Sequence, residues 1–545
     1  MRMRSLKNAS VLTHARLHEA SKQHASFQWR PFGASTALRQ KGDPKKDIAV
    51  IGGGVTGLAT TYYLSSKYPD VPVHLYESGP KLGGWIQTKH VDVGDGSVVF
   101  EQGPRNLRPS TVNGMITLDL IDELGIQDQM MTTPKTSNAA KNRFVYYPDH
   151  LVRVPTTAFG AVLGSFWEPA LSGLVSGILK EPFLGRRPST LEDESVGDFV
   201  SRRIGSQMAD NIVSAVIHGV YAGDLYQLSA KSLLPLQWHL EGKHGSILQG
   251  ILKERTPMMT TADAHIHREM LDKGIFEKFD INNTSVYTFR RGIQTLVEAL
   301  EKTLEKRPNV HVKLQTKIQS IGFNSGSSEI NIKTATADNH HTNAICTLPA
   351  STLSSLSVPA LPAFAQMSAV TVMVVNLYYK NANLLPVQGF GYLIPRSVSV
   401  AQNPERALGV VFDSIGTVAQ DTVDGTKITV MLGGHWWGGW EQYPDEGEGA
   451  AMAKCVLARH LGIEEEPTAI NVALQKDCIP QYTVGHDRRM DDMEAELQSG
   501  FKGRLKVAGS SYTGVGLNDC VRAARDTVRE LDGPSAILRP NKEWS

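Results

Sequence analysis

The chain has 545 residues, 41% apolar and 20% charged, which suits two or three globular domains and is far from a disordered composition. Its net charge of +1 provides no global basic field to attract nucleic acid. Cys346, Cys455, Cys478 and Cys520 are widely spaced and form no C-x-x-C pair, so they point to neither a disulfide framework nor a zinc site.

The charge is uneven along the chain. Residues 1–46 hold ten Lys/Arg and two acids (Glu19, Asp43), which leaves the remainder at −7. The segment is basic, acid-poor and lacks a long apolar core. That is the composition of a mitochondrial targeting peptide, with the fold starting near Lys45.

The next stretch, Asp47 to Ser78, carries a dinucleotide signature. An apolar run, Ile48 to Ile51, meets Gly52, Gly54 and Gly57 in G-x-G-x-x-G spacing. A helix is expected from Val55 to Ser66, then a second apolar run, Val73 to Tyr76, ending on Glu77. Gly52 permits the tight turn, Gly54 the approach of a pyrophosphate, and Gly57 the packing of helix on strand. The helix N-terminus presents free N–H groups to phosphate. Glu77, twenty residues past Gly57, is placed for ribose hydroxyls. Directly after it, Ser78 to Trp85 (SGPKLGGW) supplies a second glycine loop, an extension found in FAD oxidoreductases of the amine-oxidase type rather than in nicotinamide dehydrogenases.

Residues 110–125 predict a helix with Ser110 or Thr111 as N-cap and Gly125 just past its end. Thr156 to Leu179 is the longest low-charge stretch, broken by Glu168-Pro169 into halves too short to span a bilayer. Composition leaves core helix and interfacial membrane patch both open, and favours core. Residues 190–290 show helical periodicity with few strands. Thr288 to Leu304 leads into a helix. Val310 to Ile318, Ser328 to Ala335 and Ala344 to Leu348 read as strands. Val370 to Tyr379, Gly409 to Phe412 and Ile428 to Gly433 predict a separate antiparallel sheet carrying a ligand site. Finally, Val507 to Gly509 returns as a short strand, followed by a glycine-rich turn and a helix from about Asn518. Free N–H groups at that helix start suit the electron-rich edge of a flavin.

Three groups of motifs now occur together: IGGGVTGL…LYES…LGGW, then EQGPRNLRP, then VQGFGYL…CIPQYTVGH…AGSSYTGVGLNDC. Over about residues 47–530 the chain resembles the oxygen-dependent protoporphyrinogen oxidases. The glycine motifs mark only the wider amine-oxidase-like FAD superfamily, whereas GPR at 103–105 with QGFGYL and IPQYTVGH is more specific. The resemblance implies an α/β fold with a discontinuous Rossmann-like FAD domain (46–137, 257–345, 481–535). With it come an α+β substrate domain (138–154, 346–480) and a helical domain (155–256) lying monotopically on the mitochondrial inner membrane, at the intermembrane-space face. This reverses the compositional preference for Thr156–Leu179.

The implied reaction is the six-electron oxidation of protoporphyrinogen IX to protoporphyrin IX by non-covalent FAD, with dioxygen reduced to hydrogen peroxide. A homodimer and contact with ferrochelatase are also implied. By position in the motifs, Gly52, Gly53, Gly54, Val55, Thr56, Gly57, Glu77, Ser78, Trp85, Gly103, Pro104, Arg105 and Asn106 would line FAD. Ile318 would contact adenine through its backbone, and Ala508, Val515, Gly516 and Leu517 would surround the flavin. Arg105 would also pair with a substrate propionate, with Arg143 a second cation near the mouth. Gly389, Phe390, Leu393 and Met431 would line the macrocycle cavity. No side chain is nominated as acid or base, because the flavin carries the chemistry and orientation carries the catalysis. No metal ligand set is expected. Gln87 and His218 depart from the basic residues common at these positions. The competing function is another FAD oxidase of the superfamily, acting on an amine or a carotenoid.

Overall fold

Four consecutive apolar residues, Ile48–Ile51, form the central strand of a five-stranded parallel sheet. Helix Val55–Lys67 carries the chain across to strand Val73–Tyr76, which pairs in parallel from Ile48↔Val73 to Ile51↔Tyr76. The sheet order is Leu505–Val507, Asn343–Cys346, Ile48–Ile51, Val73–Tyr76, Val310–Lys313. The computed structural model describes residues 47–155, 157, 160, 164–165, 167–254, 258–539 and 544. The targeting segment expected over residues 1–45 lies outside them.

Alternation along the central strand shows why the run is continuously apolar. Ile48 and Val50 pack into one cluster with Leu58, Leu64, Leu300, Val521 and Val528. Ala49 and Ile51 face a second cluster with Phe364, Met490, Leu497 and Phe501. Both faces are covered by helices, so neither can be polar. The C-terminal helix, Leu517–Arg529, packs beside Val55–Lys67 and closes the first cluster.

The helix expected near 110–125 spans Val112–Glu123, with the Thr111 side chain accepting from Gly114 N–H at 3.0 Å and Gly125 at φ +67°. The strand read from Val310 to Ile318 is instead two strands in two sheets. Val310–Lys313 ends the parallel sheet, while Ile318–Asn324 pairs antiparallel with Glu329–Thr334. Gln315 breaks the run at φ +51°, and the N–H groups of Gln315 and Thr316 donate to Gly79 O and Glu77 O. The 190–290 region is helical from Val196 to Lys278, but ends in a strand absent from the sequence reading, Thr284–Phe289, paired with Met130–Pro134.

The predicted separate sheet has seven strands in the order Ala469–Pro480, Ala369–Tyr379, Thr426–Gly433, Ala407–Val411, Gly391–Leu393, Phe144–Tyr146, Leu151–Arg153. Its pairings are antiparallel except for Gly391–Leu393 with Phe144–Tyr146. One face buries Val375, Leu377, Val430 and Leu432 against Ala453, Val456 and Leu457 of helix Glu446–Leu461. The other face is the one that matters for the site. In the helical region a buried ion pair joins Arg203 to Glu181, and half-buried Arg187 pairs with buried Glu241. On its surface Trp167, Leu179, Phe183 and Leu252 are 81%, 66%, 87% and 81% exposed. Among the described residues no helix is long and apolar enough to cross a membrane.

Candidate functional site

The glycine loop is built for contact with a ligand backbone. Gly52 sits at φ +101°, and a Cβ on Gly57 would lie 1.8 Å from Gly52 O, so both positions require glycine for the turn and the packing. Gly54 differs. A Cβ there would meet nothing within 4 Å, so the space beside it is open. No side chain caps helix Val55–Lys67, whose first turn contains Thr56 and Gly57. Open space at a helix start with free N–H donors suits a pyrophosphate.

Three loops gather on this cradle. Gly83 N–H donates to Gly53 O at 2.9 Å, joining the second glycine loop to the first. A Cβ on Gly103 would lie 2.5 Å from the carbonyl oxygen of half-buried Trp85, so the loop Gly103–Asn106 passes tightly beside it. Glu77 accepts from Gly53 N–H at 2.7 Å and from Gly79 N–H at 2.6 Å, with Ser78 Oγ at 3.2 Å. Its carboxylate has further lone pairs for hydroxyl donors. The loop before Ile318 is the one tied to Glu77 and Gly79, which brings Ile318 to this end of the sheet. On the other side, Ala508 N–H donates to Cys346 O at 3.1 Å. Val515 and Gly516 lead into Leu517, where Gly516 N–H donates to Asp519 Oδ2 at 3.0 Å. Tyr482, in the IPQYTVGH motif, holds this turn by accepting from Gly514 N–H at 2.8 Å and donating to Ser510 O. Gln87 bonds Lys81 Nζ and Gly84 O, both at 3.2 Å, so it braces the second glycine loop.

Strand register defines the facing wall. Leu393↔Gly409, Gly409↔Met431, Met431↔Val374 and Val374↔Ala473 form one row across the seven-stranded sheet. Val411↔Thr429, Thr429↔Asn376 and Asn376↔Asn471 form the row two residues away, on the same face. An apolar row therefore runs beside a polar one. Leu393 and Met431 are only partly buried. A Cβ on Gly389 would lie 2.6 Å from the Phe144 ring, and half-buried Phe390 is fixed by its N–H to Asn142 O at 3.0 Å.

Arg105 joins the cradle to this wall. It is 7% exposed, and Nη1 donates to Asp413 Oδ1 at 3.1 Å. Asp413 Oδ2 lies 2.6 Å from Thr429 Oγ1, which is 2.8 Å from the Asn376 amide. A hydroxyl has one proton, so Thr429 donates to Asp413 and accepts from Asn376 with that amide turned. Arg105 Nε and Nη2 stay buried with no hydrogen-bond partner among the described residues, as do Asn106 Oδ1 and Asn471 Nδ2. Unpaired buried guanidinium donors call for an anion. Nearby, burial pushes the Glu101 carboxyl to about 7.

Asp413 and Thr429 are not legible in the sequence, since nothing local in VVFDSIG marks a carboxylate that clamps an arginine 308 residues away. Arg143 keeps a solvent-exposed surface, while the protein around it partly desolvates its guanidinium and, with the charge of Arg108, lowers its pKa. Arg108 was also missed. His218 is buried, with Nδ1 at 2.7 Å from Ile394 O and Nε2 at 2.9 Å from His435 Nε2. Burial pushes both imidazoles to about 4, so this pair is neutral near pH 7 and does not replace an arginine's charge.

The model of the flavin containing amine oxidoreductase family matches residues 55–532. Protoporphyrinogen oxidase of Schizosaccharomyces pombe is 35% identical over 503 residues, 89% of this chain and 98% of that protein. The Homo sapiens protoporphyrinogen oxidase is 33% identical over 506 residues, 90% of this chain and 98% of that one. Among solved structures, an Exiguobacterium protein superposes with TM-score 0.71 at 22% identity, covering 90% of this chain and 99% of its own. Cyclohexylamine oxidase of Brevibacterium oxydans superposes with TM-score 0.59 at 15% identity, covering 90% and 100%. At those identities the structural matches speak for the mixed α/β fold.

Proposed function

The chain belongs to the flavin-containing amine oxidoreductases and, within them, to the protoporphyrinogen oxidases, and from that membership we propose that it oxidises protoporphyrinogen IX to protoporphyrin IX in haem biosynthesis with non-covalent FAD. The observation that carries the substrate assignment is Arg105, a buried arginine with two free donor groups beside an apolar sheet face. A reduced tetrapyrrole needs this combination, a flat apolar surface for the ring and a cation for a propionate.

In this reading Gly52–Gly57 hold the pyrophosphate, Glu77 and Ser78 the ribose, and Ile318 the adenine. Trp85, Gly103–Asn106, Ala508 and Val515–Leu517 enclose the ring system. Bound FAD supplies a two-electron acceptor that dioxygen reoxidises, so six electrons leave in three steps with release of hydrogen peroxide. Asp413 holds Arg105 by Nη1, and Nε and Nη2 take the propionate. Leu393, Met431 and Val374 exclude water and fix the macrocycle, with Phe390 against its face. Arg143, beside Arg108, offers positive charge nearer the surface. Orientation lowers the barrier, and no side-chain base is invoked.

The chain divides in this account into an FAD domain (46–137, 257–345, 481–535), a substrate domain (138–154, 346–480) and a helical domain (155–256). The FAD domain is Rossmann-like. The helical domain rests on the mitochondrial inner membrane through Leu179, Phe183 and Leu252, from the intermembrane-space side. The active form is a homodimer that passes product to ferrochelatase. Purified protein given protoporphyrinogen IX in air should release fluorescent protoporphyrin IX and peroxide. Retained FAD without product would defeat the substrate assignment.

A further inference from the structure

Asp47, His74 and His341 converge at the end of the parallel sheet opposite the glycine loop. Asp47 Oδ2 lies 2.9 Å from His341 Nδ1 and 3.9 Å from His74 Nε2, and one ligand atom from each residue falls within 4.8 Å of the others. Two of the three groups are already held from behind. Asp47 Oδ1 accepts Thr342 N–H at 3.1 Å, which turns Oδ2 towards the imidazoles. His341 Nε2 lies 2.8 Å from Tyr76 Oη, and Lys313 Nζ donates to that same oxygen at 3.1 Å. Without an ion, His341 Nδ1–H donates to Asp47 Oδ2; an ion at Nδ1 moves that proton to Nε2, and Tyr76 Oη turns from donor to acceptor. Outer contacts of this kind fix the tautomer and orientation of metal-binding imidazoles.

His74 turns Nε2 towards Asp47. Its Nδ1 is buried without a hydrogen-bond partner among the described residues, and its ring stands 4.9 Å from that of His311. The Asp47 and His74 side chains are 25% and 21% exposed, which leaves a route for an ion from solvent.

We propose that Asp47, His74 and His341 form a binding site for a divalent transition-metal ion of the Zn²⁺ class, with water completing the coordination. Two imidazoles and a carboxylate suit this class rather than Mg²⁺ or Ca²⁺. Tetrahedral bonds of about 2.0–2.1 Å place neighbouring ligand atoms roughly 3.4 Å apart, so the 2.9 and 3.9 Å separations to Asp47 need changes of about 0.5 Å, and the two imidazoles, within 4.8 Å of each other, close by up to about 1.4 Å. The ion ties the start of the first strand to the second strand and to the strand Asp338–His341. Lys313, the cation beside the cluster, is turned onto Tyr76 Oη and Asn339 Oδ1 (3.3 Å), and the Asp47 carboxylate offsets its charge. Because the unfolded chain holds these ligands apart, the ion stabilises the folded protein.

The test is equilibrium dialysis of the FAD-loaded full chain, stripped with EDTA, against Zn²⁺, with metal counted by atomic emission. The wild type should bind one ion more than His74→Gln or Asp47→Asn, while His90→Gln, at an exposed histidine, should match the wild type. Zn²⁺ should raise the wild-type melting temperature and leave that of the two site variants unchanged. Equal stoichiometry in wild type and His74→Gln overturns the proposal. Should the site variants misfold, X-ray absorption of the wild type at one Zn²⁺ equivalent decides the matter. A shell with two imidazoles supports the site, and a shell of oxygen alone overturns it.

Discussion

Two glycines three residues apart separate folding from cofactor binding. A Cβ on Gly57 would collide with Gly52 O, whereas one on Gly54 meets nothing. Gly54→Val should therefore give a folded, colourless protein, and Gly57→Val an unstable one. Flavin absorbance alongside the melting temperature separates the two outcomes, and a yellow Gly54→Val protein would rule out the assigned pyrophosphate position. Arg105 has a comparable division of labour. Loss of a charge-assisted pair with a propionate costs about 1.5–3 kcal/mol, or roughly one to two decades in binding. Arg105→Ala should raise KM for protoporphyrinogen IX by that factor with FAD retained. Asp413→Asn, which loosens the guanidinium without removing it, should act in the same direction but more weakly. Unchanged steady-state kinetics in both variants would shift the carboxylate contact to Arg143. The arginine was legible in GPRN because its motif is local. Its partner was not, because the contact joins residues 308 apart and strand register, not spacing, creates it. The same separation hid Asp47, His74 and His341 from a reading along the chain.

At the scale of elements, what could be read were segments whose demands are local. The βαβ unit combines a tight turn, a close helix packing and a fully apolar strand, and each leaves its own residue type. The break inside Val310–Ile318 left none. VHVKLQTKI keeps its alternation through the break, and a glutamine rather than a glycine takes the positive φ. Strand Thr284–Phe289 was masked by helical periodicity on both sides, although it anchors the Arg105 loop through paired bonds between Leu107 and Tyr287 at 2.8 Å. The C-terminal helix is held by a different device. Burial opposes charge on Glu269, but hydrogen bonds and charge from Arg529 and Arg525 outweigh it and hold its pKa near 2. The distances are 2.8 Å to Arg529 Nη2 and 2.6 Å to Arg525 Nη2. A carboxyl depressed in the folded state stabilises it above its unfolded value of about 4.5, and this contribution is lost as pH falls towards 2. Glu269→Gln should lower the melting temperature at pH 7, with the difference shrinking at pH 3. A pH-independent difference would mean that packing, not charge, is what the substitution removes.

The whole molecule places a nucleotide cradle, an apolar-and-polar sheet face and an exposed apolar helical surface on one chain. Phe183 and Leu252 are exposed, and the proposed lipid contact would cover them. Phe183→Asp with Leu252→Asp should release the protein from vesicles while turnover in detergent persists. Unchanged vesicle binding would assign that surface to another protein. The central claim, that bound FAD takes electrons from a reduced tetrapyrrole held by Arg105 and the sheet, is tested most directly without oxygen. Holoenzyme in excess is mixed anaerobically with protoporphyrinogen IX and the flavin band is followed. The account predicts rapid bleaching of about three flavins per substrate, since six electrons leave in pairs, with protoporphyrin IX appearing in step. Flavin that stays oxidised by protoporphyrinogen IX but bleaches with an amine would contradict it.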